Sequence, residues 1–233
     1  MKRTVLITGS SRGIGLAIAQ SFNQNDKVVL NCRRDKAQLK KAMAELDCDG
    51  YIADVSSYEE CQKMLAKIGE IDVLINNAGA SYFGTFDQMS RAEISENLNT
   101  NLLSAINLTH LAIPSMIRKK SGCVINISSV WGITGASCEV VYSAAKAGLN
   151  GLTRALAKEL APSGIRVNAI ACGAFETRMN ERLSAQEKNA FAEEIPLGRF
   201  GNPQEAGDLA VFLASEKAEY ITGQIIALDG GFL

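Results

Sequence analysis

The chain is predicted to form an α/β fold built on a doubly wound parallel sheet of about seven strands, with helices on both faces. Short β-branched runs alternate with longer helix-period segments along the chain, which is typical of strands joined by right-handed helical crossovers. The strand-like runs are too apolar to alternate cleanly, as expected for strands covered on both faces. No linker rich in Pro, Ser or Gly divides them, so we predict one domain over residues 1–233.

The predicted elements alternate between strand and helix. Strands are predicted over 4–8, 27–31, 50–53, 73–76, 123–128, 166–171 and 224–228. Helical periodicity predicts helices over 14–23, 37–46, 58–68, 92–119, 141–161 and 204–214. The segment 174–198 is longer than an ordinary strand-to-helix connection and is predicted to be a substrate lid. Met179, Leu183 and Phe191 give it an apolar face, which would cover an acyl chain or pack on the body of the protein.

Composition and charge argue against several classes of protein. The net charge of −1 offers no basic excess for nucleic acid. No apolar run approaches the roughly 20 residues that a membrane helix needs, and the run after Met1-Lys2-Arg3 is too short for an export signal. The six cysteines form no CxxC pair, and the single histidine has no cysteine close by, so zinc-ligand spacing is absent. We therefore expect a soluble cytoplasmic protein with reduced thiols and no metal.

The first predicted strand leads into a glycine-rich turn that is followed by an amphipathic helix. Glycines there would allow a tight turn, close approach of the backbone to a pyrophosphate, and close packing of helix on strand. The helix start would add unpaired N–H groups and the positive end of its dipole. Glycine-containing turns also arise without a ligand, but a strand before and a helix after is the context that such a site requires. Cofactor binding is therefore assigned to Gly9, Ser10, Ser11, Arg12, Gly13, Ile14 and Gly15.

The end of the second strand bears on which dinucleotide binds. A site specific for NAD usually has an acidic residue here, whereas arginine accommodates the 2′-phosphate of NADP. Cys32 stands where the acid is expected, Arg33 follows it, and Arg12 projects from the glycine turn towards the same region. Two guanidiniums would grip a phosphate, so NADPH or NADP+ is favoured over NADH. The alternative is that Arg33 and Arg34 are solvated loop charges.

Asp54 and Val55 follow the third predicted strand and are also assigned to the cofactor site. Asp54 would accept a hydrogen bond from the adenine amino group. It would equally serve as a turn residue, with Ser56 or Ser57 capping the next helix. The two roles are compatible.

Tyr142 and Lys146 stand four residues apart, on one face of a predicted helix. A free phenol has a pKa of about 10, and a nearby lysine cation would lower that pKa. The phenol would then exchange a proton with a carbonyl oxygen as hydride is transferred, while Lys146 would also bind the cofactor's ribose hydroxyls. Such pairs are common by accident, so this one alone does not establish a site.

Ser129 stands at the carboxyl end of the fifth predicted strand, where ligands bind in open α/β sheets. Its hydroxyl would stabilise negative charge on a carbonyl oxygen and, with Tyr142, bind the substrate. Ser128 is the competing residue, since strand alternation sends the two side chains in opposite directions. Either serine would otherwise cap the turn before Gly132.

Taken in order, these motifs resemble those of the short-chain dehydrogenase/reductase family. They are the glycine turn, Asn76-Asn77-Ala78-Gly79, Ser129 ahead of Tyr142-x-x-x-Lys146, and the ending Ile221-Thr222-Gly223-Gln224 with Asp229-Gly230-Gly231. The resemblance covers the whole chain. It implies a Rossmann-type fold, an NADP-dependent oxidoreductase acting on CH–OH or C=O groups, and Ser129 rather than Ser128 as the site residue.

The resemblance also implies roles that local patterns do not assign. Asn77-Ala78-Gly79 would lie along the cofactor wall, and Asn101 would hold a water in a proton relay to Lys146. The Asn101 side chain is expected to bend or interrupt the long helix that contains it. The Phe175 backbone and the Thr177 hydroxyl would meet the cofactor's carboxamide and phosphates.

Within the family, Ile195-Pro196-Leu197-Gly198-Arg199 and Gly201-Asn202-Pro203-Gln204-Glu205 are most similar to β-ketoacyl-ACP reductases of fatty acid biosynthesis. Such enzymes are usually homotetramers built through the two long helices, here 92–119 and 141–161. They carry basic residues near the cleft mouth to hold the acidic carrier. Arg118-Lys119-Lys120 would supply one such position or merely complement a helix dipole, and Ser163 stands at the other.

A further departure from the family pattern is Cys172-Gly173, where the family has Pro-Gly after the sixth strand. Loss of the proline relaxes a restraint on φ. It also leaves a thiol near the expected site.

Three hypotheses about function follow. The first is an NADPH-dependent reductase of 3-oxoacyl-ACP, with acyl carrier protein as partner, or of another 3-oxoacyl thioester. The second is a reductase or dehydrogenase of a free small ketone, polyol or sugar. The third is a catalytically silent NADPH-binding sensor, against which the complete set Asn101, Ser129, Tyr142 and Lys146 argues. The sequence identifies neither the carbonyl substrate nor the direction; loops 80–88, 132–140 and 174–198 are predicted to line its pocket.

Overall fold

A parallel seven-stranded sheet forms the centre of the molecule, in the order β3-β2-β1-β4-β5-β6-β7. The computed structural model describes residues 2–23, 25–177 and 184–233. The strands are β1 Thr4–Ile7, β2 Lys27–Cys32, β3 Asp49–Ile52, β4 Val73–Asn76, β5 Gly122–Ser129, β6 Ile165–Cys172 and β7 Ile225–Leu228. Every pair of neighbouring strands runs parallel. The predicted doubly wound sheet is therefore confirmed, and the predicted strand ends differ by no more than one residue.

Two apolar cores pack the sheet between two layers of helices. In β1, Val5 and Ile7 belong to one core and Leu6 to the other, because side chains alternate across a strand. The first core is covered by α1 Gly13–Phe22, α2 Lys36–Leu46 and α9 Pro203–Leu213. The second is covered by α3 Tyr58–Ile68, α5 Ser104–Lys119 and α7 Val140–Leu160. Helices on both faces, as predicted, are confirmed.

The long helix predicted over 92–119 is interrupted. It is divided into α4 Arg91–Leu98, a π-helical turn over Asn99–Leu103, and α5. Asn101 lies within this turn, and its Nδ2 donates to the carbonyl oxygen of Asn97 at 3.0 Å. The predicted interruption at Asn101 is confirmed, since a side chain that bonds to the backbone competes with the regular helical ladder.

Two helices lie in regions that the sequence pattern assigned to loops, α6 Trp131–Thr134 and α8 Ala185–Glu194. A capping box begins α8: the Ser184 hydroxyl accepts the N–H of Glu187 at 3.2 Å, and the Glu187 carboxylate accepts the N–H of Ser184 at 2.8 Å. None of the residues of α8 is buried, so its sequence lacks the apolar periodicity that predicts a helix. Met179 and Leu183, expected on the apolar face of the lid, lie outside the described residues.

The strand order reverses between β1 and β4, and ligands of open α/β sheets bind at such a point. Here the Thr8 hydroxyl oxygen accepts the backbone N–H groups of Asn77 at 3.0 Å and Ala78 at 2.9 Å. The Asn77 side-chain amide donates to the carbonyl oxygens of Thr8 at 2.8 Å and Gly9 at 3.1 Å. These hydrogen bonds hold the glycine turn against the end of β4.

Candidate active site

A cleft of about 700 Å³ opens at the carboxyl edge of the sheet. Its walls come from the glycine turn, the ends of β4, β5 and β6, the start of α7, and the last residues of the chain. Most of the predicted site residues line it: Gly9, Arg12, Gly13, Ile14, Gly15, Asn77, Gly79, Ser129, Tyr142, Lys146, Phe175 and Thr177. The fold thus brings the glycine turn and the predicted acid–base residues into one cavity.

The glycine turn has no room for side chains at two positions. A Cβ on Gly15 would lie 2.4 Å from Asn77 Nδ2 and 2.6 Å from the Gly9 carbonyl oxygen, and a Cβ on Gly9 would lie 2.9 Å from Ala78 Cα. Gly9 also has a φ of 61°, which favours glycine. Within the described residues no side chain caps the first turn of α1, whose N-cap is Arg12. Its N–H groups are therefore available to an anion, and the turn fits a pyrophosphate.

Ser10 and Ser11 are buried behind this turn. The Ser10 hydroxyl donates to the Ile7 carbonyl oxygen at 2.7 Å and accepts the N–H of Asn31 at 3.1 Å. The Ser11 carbonyl oxygen accepts a hydrogen bond from Gln38 Nε2 at 3.2 Å. Both residues brace the turn against its neighbours, and their direct contact with a cofactor stays a prediction.

The two arginines expected to bind a 2′-phosphate each lie next to a carboxylate. Arg33 Nη1 is 3.2 Å from Glu96 Oε1, and Arg12 Nη1 is 3.8 Å from Asp35 Oδ2. Arg12 lines the described cleft, whereas Arg33 lies off its wall. Both pairs are exposed to solvent and therefore contribute little stability.

Asp54 adopts one of its two predicted roles. Its Oδ1 accepts the backbone N–H of Ser56 at 3.0 Å and the Ser56 hydroxyl at 2.7 Å, which forms a turn. Ser57 caps α3 by accepting the N–H of Glu60 at 3.3 Å. Asp54 and Val55 lie off the described wall of the cleft, and their contact with adenine stays a prediction.

Tyr142 lies in the first turn of α7 and is only 8% exposed. Burial raises the pKa of its phenol above the ordinary value. A hydrogen bond with the Ser129 hydroxyl acts in the opposite direction, and the Glu139 carboxylate adds to the increase. Tyr142 is therefore held as a neutral phenol at neutral pH, in the form that can donate a proton.

Lys146 is buried one turn further along α7, and its Nζ donates to the Ile127 carbonyl oxygen at 2.7 Å. Nζ lies 5.6 Å from the centroid of the Tyr142 ring. Burial lowers the pKa of Lys146 to about 8. The expected net lowering of the Tyr142 pKa is wrong for the polypeptide alone, because burial is the largest influence on both groups and raises the pKa of the phenol. A contribution of the Lys146 cation in the opposite direction stays a prediction.

The two serines at the end of β5 have different partners. Ser129 hydrogen-bonds the Tyr142 phenol, and its Oγ accepts the backbone N–H of Trp131 at 3.2 Å. The Ser128 hydroxyl donates to the Lys146 carbonyl oxygen at 3.4 Å, so it braces α7 against the sheet. This geometry favours Ser129 over Ser128 as the residue that meets a substrate oxygen.

Asn101 is buried beside the loop that follows β4. Its Nδ2 donates to the Ala80 carbonyl oxygen at 2.8 Å, and its Oδ1 accepts the Ala80 N–H at 3.1 Å. A Cβ on Gly79 would lie 2.9 Å from Asn101 Oδ1 and 3.6 Å from Lys146 Nζ. Asn101 and Lys146 therefore converge on Gly79, and the water relay between them stays a prediction.

Cys172 ends β6 on the wall of the cleft, so a thiol lies near the site as expected. Burial raises the pKa of this thiol to about 12, although the Lys146 cation acts in the opposite direction. The thiol is therefore protonated at neutral pH. At the next position, a Cβ on Gly173 would lie 2.9 Å from Asp229 Cα, so glycine is needed there for close packing.

The cleft is also lined by side chains that, apart from Phe191, sequence reasoning missed. They are one carboxylate and four aromatic rings: Glu139, Phe83, Trp131, Phe191 and Phe232. Ser81 donates a hydrogen bond to Glu139 Oε1, which links the loop after β4 to the start of α7. Residues so far apart in the chain share no periodic signal, and only the loops that carry some of them could be predicted.

The basic cluster Arg118-Lys119-Lys120 does not lie at the cleft mouth of its own chain. Arg118 is 3.1 Å from Glu70 Oε1, and Lys119 Nζ donates to the Ile71 carbonyl oxygen at 3.2 Å. These partners precede β4, at the amino edge of the sheet and opposite the cleft. The predicted position is wrong within one chain, because α5 leads into β5 and therefore ends at the amino end of that strand.

Over 2–23, 25–177 and 184–233, no helix is both long and apolar enough to cross a bilayer. The same residues hold no group of three or more His, Cys, Asp or Glu side chains arranged to bind a metal ion.

Known proteins resemble this chain over nearly its whole length. A family model described as Enoyl-(Acyl carrier protein) reductase matches residues 9–233. Uncharacterized oxidoreductase YmfI of Bacillus subtilis is 41% identical over 240 residues, which cover 100% of this chain and 99% of that relative. The 3-oxoacyl-[acyl-carrier-protein] reductase FabG of Thermotoga maritima is 38% identical over 240 residues, with 99% and 98% covered. A crystal structure named as a putative short-chain alcohol dehydrogenase from Sinorhizobium meliloti 1021 has a TM-score of 0.93 at 34% identity, with 100% and 97% covered.

Proposed function

The chain belongs to the short-chain dehydrogenase/reductase family of oxidoreductases. We propose that it uses NADPH to reduce the 3-oxo group of a 3-oxoacyl thioester to a hydroxyl. One observation carries this proposal. The glycine turn that fits a pyrophosphate and the buried Tyr142–Ser129 pair face the same cleft. A dinucleotide whose pyrophosphate is held by the glycine turn would extend its nicotinamide ring towards Tyr142 and Ser129.

The residues of the chain divide the chemistry between them. Bound NADPH would supply the hydride to the carbonyl carbon. Tyr142 donates its proton to the carbonyl oxygen, and Ser129 hydrogen-bonds that oxygen as negative charge develops on it. Lys146, with a pKa of about 8, is positively charged at neutral pH and favours the phenolate that remains. Asn101 holds the loop next to Lys146 and would order the water that returns the proton.

Two arginines support NADPH over NADH. Arg12 and Arg33 each contact an exposed carboxylate, Asp35 and Glu96, and such pairs are weak enough to be exchanged for a doubly charged phosphate. The remaining cofactor contacts are proposed from Gly9, Ser10, Ser11, Gly13, Ile14, Gly15, Asp54, Val55, Asn77, Ala78, Gly79, Phe175 and Thr177.

The thioester substrate is supported by similarity. The FabG proteins of Thermotoga maritima and Aquifex aeolicus, named 3-oxoacyl-[acyl-carrier-protein] reductases, are 38% and 40% identical to this chain. Acyl carrier protein is therefore the proposed partner. A free small ketone, polyol or sugar is the second candidate, favoured by one observation: the basic cluster expected to hold the carrier lies at the opposite edge of the sheet in the same chain.

The experiment that tests this proposal follows NADPH absorbance with the purified protein. One panel contains 3-oxoacyl thioesters of acyl carrier protein and coenzyme A, and the other contains free ketones, sugars and the oxidised forms of polyols. Turnover of the thioesters is expected. Activity on the free carbonyls alone would overturn the thioester substrate, and NADPH binding without turnover of either panel would favour a catalytically silent sensor.

We extend the proposal to the whole molecule. The chain would form one cytoplasmic domain whose segment 174–198 closes over the substrate. A homotetramer built through α4, α5 and α7 would cover three exposed apolar side chains. These are Leu98 in α4, Leu103 in the π-helical turn and Ile106 in α5. Light scattering of the purified protein measures that assembly, and a monomer at all concentrations would contradict it.

A further inference from the structure

Three aromatic rings form one wall of the cleft. The rings of Trp131 and Phe232 meet edge to face, with centroids 5.6 Å apart and an interplanar angle of 79°. Phe191 and Phe232 meet in the same way, with centroids 5.9 Å apart. All three residues line the cleft. Phe232 is the middle ring, so it joins α6, which carries Trp131, to α8, which carries Phe191.

The turn that ends the chain fixes the position of Phe232. The Asp229 carboxylate accepts two backbone N–H groups, that of Gly231 at 3.0 Å through Oδ1 and that of Leu233 at 3.0 Å through Oδ2. The backbone is thus held on both sides of Phe232. Gly231 has a φ of 87°, a conformation that favours glycine. The sequence Asp229-Gly230-Gly231 therefore directs the next side chain into the cleft.

The aromatic wall begins beside the proposed reacting groups. The backbone N–H of Trp131 donates to Ser129 Oγ at 3.2 Å, and Ser129 hydrogen-bonds the Tyr142 phenol. A carbonyl oxygen that meets these two hydroxyls would direct one substituent of its carbon towards the rings of Trp131 and Phe232. An apolar substituent gains from burial against aromatic surface until the ring blocks further growth.

We propose that Phe232 is a specificity-determining residue, which closes this end of the cleft and limits the size of the apolar group next to the carbonyl. The ligand class is a neutral carbonyl compound with a compact apolar substituent. The assignment of this wall to a substrate rests on the proposed function, but the wall itself is a binding surface that can be measured without turnover.

The single tryptophan of the chain supplies the reporter, because it lies in this wall. Straight-chain methyl ketones of increasing length would be titrated into the protein without NADPH while Trp131 emission is recorded. Affinity should rise with each added carbon and then stop rising at a length limit. Phe232→Ala should move that limit to longer ketones and strengthen binding of the longer members about tenfold. Phe232→Leu should move it in the same direction by less.

Leu233→Ala is the matched control, because Leu233 is 49% exposed and lies off the described wall of the cleft. It should keep the wild-type limit. The proposal is overturned by an unchanged limit in both Phe232 variants with native circular dichroism, by an equal shift in Leu233→Ala, or by emission that no ketone alters in the wild type.

Turnover separates this proposal from the previous one. The same ketones and their 3-oxoacyl thioester counterparts would be assayed with NADPH, and kcat/KM should show the length limit found by fluorescence. A limit that depends on Phe232 in binding, together with no turnover of any compound, would refute the reductase and support the aromatic wall. Turnover with a length preference that Phe232→Ala leaves unchanged would support the reductase and refute the role of Phe232.

Discussion

The two ends of the cleft are built in different ways. The end proposed to bind the dinucleotide is made mainly of backbone. The Thr8 and Asn77 side chains hold the glycine turn against the end of β4, and added Cβ atoms at Gly9 and Gly15 would meet other atoms at 2.9 Å or less. The end proposed to bind the substrate is made of side chains from α6, α8 and the C-terminal turn.

This difference indicates which parts of the cleft tolerate substitutions. A backbone cradle tolerates few substitutions, whereas a wall of side chains changes shape with each one. We therefore expect reaction type and substrate choice to depend on different residues. Tyr142 and Ser129 lie where the two ends meet. Four predictions follow from this division, in order of decreasing effect.

The largest effect is expected at the junction. Tyr142→Phe removes the proposed proton donor but keeps the ring, so kcat should fall about 1000-fold while NADPH affinity, measured by its fluorescence, stays near wild type. Tyr58→Phe is the control, because that phenol lies on the surface, 3.0 Å from His110 Nδ1. Substantial turnover by the Tyr142→Phe variant would place the proton donor elsewhere.

A single added methyl group in the glycine turn should weaken NADPH binding. Gly15→Ala would place a Cβ 2.6 Å from the Gly9 carbonyl oxygen, and NADPH affinity should weaken on the order of 100-fold through overpacking. Ketone binding at Trp131 should change little. Gly151→Ala, whose added methyl meets nothing within 4 Å, should bind NADPH normally. If Gly15→Ala weakened NADPH binding and ketone binding equally, the two ends of the cleft would not be independent.

The cofactor preference should depend on charge at the end of β2. Arg33→Asp replaces a proposed phosphate partner with a carboxylate, so the ratio of kcat/KM for NADPH to that for NADH should fall on the order of 30-fold. Arg34→Asp makes the same charge change one residue later and should leave the ratio near wild type. An unchanged ratio in Arg33→Asp would remove Arg33 from the cofactor site.

The smallest effect is a pH dependence. Burial lowers the pKa of Lys146 to about 8, so its positive charge is present below that pH and lost as the pH rises through it. Reduction should therefore show a kcat/KM that falls about tenfold per unit above that pKa. Lys146→Arg keeps the charge, and its remaining activity should lack this fall. A flat wild-type profile through pH 8 would mean that the Lys146 charge is not required.

The parts of the site that could be predicted depend on short-range spacing. The glycine turn needs a strand before it and a helix after it, and Tyr142 and Lys146 share a helix face because they are four residues apart. The interruption at Asn101 followed from the competition of an asparagine amide with the helical backbone. Each of these features is contained within a few residues of sequence.

The rest depends on the tertiary structure. Burial reverses the expected shift in the pKa of Tyr142, and burial is a property of the packed molecule. Trp131, Phe191 and Phe232 come from three distant parts of the chain, so no local pattern connects them. The misplaced basic cluster Arg118-Lys119-Lys120 could have been recognised, because a helix that leads into a strand must end at the amino edge of the sheet.

The central claim is that one cleft joins a bound dinucleotide to the Tyr142 phenol. It is tested most directly with NADPH that carries deuterium at the transferable position of its nicotinamide ring. The label should appear on the carbinol carbon of the product, as measured by mass spectrometry, and the Tyr142→Phe variant should bind this NADPH with almost no transfer. Product that forms without the label, or equal transfer by both proteins, would contradict the account.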